Sequence, residues 1–79
     1  MTIYTRQIVY PEGDTQEIEH ALRVNQVVDL NGSPLALPLP TVRMIAFRVY
    51  KVSTHESIGE TITLYHLELL TRDQMIEYT

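Results

Sequence analysis

The 79-residue sequence predicts one all-β domain. The expected form is a small antiparallel barrel or sandwich of about five to six strands, with at most one short helix. Three observations carry this. Two long β-branched and aromatic runs, Val42 to Ser53 and Thr61 to Leu70, flank the polar segment Thr54 to Glu60, which holds Gly59. Asn31-Gly32 interrupts a second apolar stretch, and Pro11-Glu12-Gly13-Asp14 closes a third. Proline fixes φ and glycine admits positive φ, so these clusters read as turns between strands.

In chain order, Ile3 to Tyr10 mixes isoleucine, tyrosine and valine in a way that suits a strand better than a helix. After the Pro11–Asp14 turn, residues 15–24 support two readings. Ile18, His20, Leu22 and Val24 alternate with polar or small neighbours, which favours a strand folding back with Arg6 near Glu19. Asp14 and Glu17 have the spacing of a capping box, which would instead start a short helix. The alternation tips the balance to strand.

Val27 to Leu30, Asn31-Gly32 and Ser33 to Leu37 predict a second hairpin with a type I′ turn. Pro34 cannot donate a ladder hydrogen bond, so that strand belongs at an edge or is short, and Leu37 to Thr41 is a connector. For the long hairpin, pairing Ser53 with Thr61 sets Ile45, Phe47 and Val49 opposite Leu69, Leu67 and Tyr65 on one apolar face. On the reverse face Arg48 meets His66 and Ala46 meets Glu68, with Tyr50, Val52, Ile62 and Leu64 nearer the loop. Apolar positions that change face along such long strands imply a bend around a small barrel. The tail Thr71 to Tyr78 offers a helical turn or two, with Thr71 as N-cap, Gln74 at the third position, and Met75 and Ile76 folding back.

Composition narrows the function classes. The absence of cysteine removes disulfides, a thiolate zinc site and a cysteine nucleophile. A domain this small has a thin stability margin, which makes self-association or docking on a larger protein attractive. The longest apolar run, Met44 to Phe47, is far short of the roughly 20 residues of a membrane helix. Polar Thr2, Thr5, Arg6 and Gln7 interrupt the start of the chain, so no signal peptide is expected and a cytoplasmic location follows. The net charge of −4 argues against a general nucleic-acid footprint.

Candidate chemistry is sparse. His20, His55 and His66 do not converge with carboxylates at metal-ligand spacing, and His66-Leu67-Glu68 lacks the cysteine half of a zinc deaminase signature. Ser33, Ser53 and Ser57 lack a nucleophile elbow, and Gly13, Gly32 and Gly59 fall at separate turns rather than in a phosphate-binding loop. No enzyme, cofactor or metal is expected. Two surfaces remain. Tyr50, Val52, Ile62 and Leu64 form a candidate protein-docking or self-association patch. Arg43, Arg48 and Lys51 beside Tyr50 form a candidate single-stranded nucleic-acid surface, in which a ring would stack beside cations.

Overall fold

Two turns with the same wiring start the sheet of this protein, whose computed structural model describes residues 1–79. In the first, Tyr10 N–H donates to Asp14 O (2.8 Å) and Gly13 N–H donates back to Tyr10 O (2.9 Å). In the second, Asp29 N–H donates to Ser33 O (2.9 Å) and Gly32 N–H to Asp29 O (3.1 Å). Each three-residue loop ends on a glycine at positive φ, Gly13 at 101° and Gly32 at 81°. Glycine reaches that region without a Cβ clash. The second turn is therefore not the expected type I′, because Asn31 has no positive φ. Asp29 Oδ1 also accepts from Asn31 and Ser33 N–H, so an aspartate one residue upstream organises it.

Five strands result: β1 Ile3–Val9, β2 Thr15–Ile18, β3 Val27–Val28, β4 Phe47–Ser57 and β5 Glu60–Leu69. They form one sheet in the order β2-β1-β5-β4-β3, curled into a half-barrel. The sheet is mixed rather than purely antiparallel, because β1 runs parallel to β5 with Ile3 opposite Glu60 and Val9 opposite His66. That direction sets Ile8 beside Tyr65 in the core. Reversing β1 would carry Ile8 toward the exposed hairpin tip, losing about 2 to 3 kcal/mol of burial. Residues 15–24 form strand only over Thr15–Ile18, beside Val9–Arg6. Arg6 reaches Glu19 through its backbone carbonyl.

The long hairpin is present with a shifted register. Phe47 lies opposite Leu69, Val49 opposite Leu67 and Ser57 opposite Glu60. Strand β4 runs through the polar segment Thr54–Ser57, and only Ile58 and Gly59 make the turn. Residues 42–46 are not strand, and Ile45 and Leu69, expected in the core, are 56% and 55% exposed. Between Val49 and Lys51 the ladder slips by one residue, so Tyr50 is a β-bulge and Lys51 faces His66. Beyond the slip, even-numbered β4 residues take the face that odd-numbered ones held before it.

Two apolar clusters cover opposite faces at one end of the sheet. The inner one holds Ile8, Ile18, Leu22, Val28, Phe47, Val49, Tyr65 and Leu67. Tyr10 closes it edge-on against Phe47, with ring centroids 5.8 Å apart. The outer one gathers Val27, Leu39, Ala46, Leu70 and Met75, with Val42 and Met44 of the irregular segment before β4 against it. Met75 comes from α1, Arg72–Ile76, which Thr71 and Gln74 start through the expected capping box. Ile76 turns outward. No helix is long and apolar enough to cross a membrane.

Candidate interaction surface

The outer cluster covers only the end of the sheet near β3 and α1. Toward the hairpin tip the sheet is a single layer, and no residue from Tyr50 to Gly59 is buried. Strand alternation assigns Ile62, Leu64 and His66 of β5 to the outer face, beside Thr5, Gln7 and Val9 of β1 and His55, Ser53 and Lys51 of β4. Two contacts anchor that assignment. Ser53 Oγ and His66 Nε2 are 2.9 Å apart, and the Tyr50 ring lies 6.1 Å from the His66 ring. The face thus carries an apolar stripe on its central strand, Ile62 and Leu64, rimmed by hydroxyl, amide and imidazole groups.

Of the four expected docking residues, Tyr50, Ile62 and Leu64 share this outer face. Val52 does not, because the bulge turns it inward opposite Tyr65, where it is 38% exposed. Tyr50 is 52% exposed, whereas Ile62 and Leu64 are half-buried by the neighbouring strands. Ile3, at the tip end of β1 and 59% exposed, extends the stripe in a way sequence reasoning did not foresee. Its signal was its even spacing, six residues, from Val9, which shows its face only once the parallel partner is known.

The expected basic surface is divided. Arg48 lies opposite Glu68, not His66, and forms an ion pair with it. The same guanidinium donates to the Tyr78 hydroxyl at 3.3 Å. The Tyr78 hydrogen bond first, and then Glu68, stabilise the charged form of Arg48 and raise its pKa further. Arg43 sits in the irregular segment before β4, its N–H held by Thr41 Oγ1, and is not on β4. Lys51 and Tyr50 remain adjacent and exposed beside His66.

The Ser53–His66 pair has the distance of a nucleophile and its base. It spans two neighbouring strands on an open face, and its local effect is to tie β4 to β5 just past the bulge. His20 Nε2 lies 2.7 Å from the Gly32 carbonyl and fastens the second turn to the chain leaving β2. No group of three or more histidine or acidic side chains is arranged to hold a metal ion.

A family model described as an uncharacterised Treponema protein matches residues 2–78. None of the curated proteins and none of the solved structures matches the chain.

Proposed function

We propose that this chain, which belongs to the family described as an uncharacterised Treponema protein, is a non-enzymatic interaction module of the cytoplasm that self-associates through the outer face of its hairpin. One observation carries the reading. The outer face begins a second hydrophobic layer over Val27, Ala46, Leu70 and Met75 and then stops, leaving Tyr50, Ile62, Leu64 and Ile3 without a cover. A sheet wet on both faces has no energetic reason to keep that stripe, and stacking a second sheet on it is the usual remedy.

A second copy is the occupant favoured by charge. Stacking two outer faces about a two-fold axis with their strands reversed brings the tip of each copy, with Glu60, toward Lys51 and His66 of the other. Three strands, β1, β5 and β4, about 4.8 Å apart and about seven residues long give a footprint on the order of 300 Å² per copy. That is below the roughly 800 Å² of a stable interface. The association is accordingly weak and concentration-dependent.

Sedimentation velocity over a wide concentration series tests it. The expected result is a shift from one chain toward two, abolished by Leu64→Lys with an unchanged thermal unfolding curve. A strict monomer throughout would defeat self-association. Single-stranded nucleic acid is the weaker reading, since Glu68 engages Arg48 and Arg43 lies on a different segment.

A further inference from the structure

At the β3 edge of the sheet the chain folds around a wide-mouthed hollow of about 390 Å³. One wall is the turn Arg23–Gln26, in which Gln26 N–H donates to Arg23 O at 3.1 Å and Arg23 N–H to Gln26 Oε1 at 2.9 Å. Asn25 holds φ at 72°, a left-handed conformation that asparagine tolerates better than most residues. The turn is fixed to β4, because Asn25 N–H donates to Val49 O (2.7 Å) and Val49 N–H to Gln26 O (3.0 Å). The other wall is the returning segment with Leu35 and Leu37, and Leu35 N–H is tied to Val27 O at 3.0 Å. Buried Val27 lies between the walls.

The lining is half apolar, through Val24, Val27, Leu35 and Leu37, and it includes one cation. The Arg23 guanidinium has no hydrogen-bond or ion-pair partner within the chain, in contrast to Arg48 and Arg6. Asn25, whose side-chain amide is also unengaged, is among the residues lining the hollow. A guanidinium has a fork of donors that matches a carboxylate, and the apolar walls match a hydrocarbon chain. We propose that this hollow binds a small monocarboxylate with an apolar tail, its anion on Arg23 and Asn25 and its tail against Val24, Leu35 and Leu37. The site lies at the opposite edge of the sheet order from β1 and β2 and does not depend on self-association.

Octanoate is the probe, followed by two-dimensional amide NMR on the whole chain. Saturable shifts are expected at Val24, Asn25, Gln26 and Leu37. Acetate, lacking the tail, and octanol, lacking the charge, should each bind at least about tenfold more weakly. Arg23→Gln should lose a similar factor for octanoate while leaving octanol unchanged, and exposed Arg23 can be replaced without disturbing the core. Leu37→Ser should weaken octanoate and octanol together. The proposal fails if octanoate gives no saturable shifts, if octanol binds as well as octanoate, or if Arg23→Gln binds octanoate as the native chain does.

Discussion

A Cβ placed on Gly32 would stand 3.0 Å from Ile8 Cδ1, so the second turn is pressed directly onto the most deeply buried residue of β1. Gly13 ends the same kind of loop with nothing within 4 Å of that position. Both hold positive φ, which costs a non-glycine residue about 1 to 2 kcal/mol. Only Gly32 adds a packing conflict, which costs about 1 to 3 kcal/mol more unless Ile8 moves. Gly32→Ala should therefore lower stability in urea unfolding by more than Gly13→Ala. Equal losses would mean that the turn does not bear on the core as described.

Tyr10 links the first turn to the second, its hydroxyl 2.6 Å from Leu30 O and 3.0 Å from Gln16 Oε1. Both are acceptors and compete for one proton, so a phenolate there would face oxygen on two sides. Its pKa is raised above the ordinary 10.0, by partial burial first and then by Asp29 and Glu12. The neutral form is thus the one that folding favours. This contribution is complete below about pH 10, the unfolded value, and is lost as pH climbs through the folded one. Tyr10→Phe should cost about 1 kcal/mol at neutral pH and reduce the alkaline decline of the urea midpoint. A variant with the same alkaline slope as the native chain would refute this.

The two features most legible in the sequence were local. Thr71 and Gln74 sit three apart, and the capping box forms between them as that spacing requires. Pro11 to Asp14 likewise carries its own instructions. The register of the long hairpin was not local, and polarity misled it. Thr54, His55, Glu56 and Ser57 read as loop because they are polar, yet they are strand. They are polar because the hairpin tip is solvated on both faces, where hydrophobicity no longer distinguishes strand from turn. The outer cluster was unreadable for a different reason. Leu39 and Ala46 reach it from chain with no regular period, so no pattern announces them. Val52 was assigned to the wrong face because a bulge reverses parity, and the only trace was the apolar phase moving from 47 and 49 to 50 and 52.

Arg48 and Glu68 should show an asymmetry under substitution. Their side chains are 30% and 35% exposed, which limits the pair to about 1 kcal/mol or less. The Arg48 Nε, however, is buried without a partner, so the guanidinium already carries an uncompensated desolvation cost. Glu68→Gln leaves that cost and removes the attraction, for an expected loss of about 0.5 to 1 kcal/mol that shrinks in high salt. Arg48→Met removes both and preserves the apolar stem, so it should be nearly neutral. Thermal unfolding at low and high salt separates them. A larger loss for Arg48→Met than for Glu68→Gln would contradict the account.

The bulge makes a sharper prediction, because a deletion at Tyr50 should be tolerated where one beside it is not. Val49 pairs with Leu67 and Lys51 with His66, so Tyr50 is the one residue of β4 without its own partner. Removing it leaves a continuous ladder in which every other β4 residue keeps its partner and its face. Removing Val49 instead would bring Tyr50 to the buried position beside Leu67 or shift the whole tip by one residue, turning Val52 and Ser53 to opposite faces. The Tyr50 deletion should therefore fold with a loss of about 1 kcal/mol and a less twisted hairpin. Cross-strand proton contacts in NMR should persist between Val49 and Leu67 and between Lys51 and His66, while the Val49 deletion loses its cooperative transition. If the two deletions were equally destructive, Tyr50 would have to be holding the hairpin through its contact with His66 rather than standing outside the ladder. The same deletion bears on self-association, since it leaves the Ile62 and Leu64 stripe intact while removing the exposed ring at its end. If the proposed dimer persists in this variant, the binding energy belongs to the stripe, and if it is lost, to Tyr50.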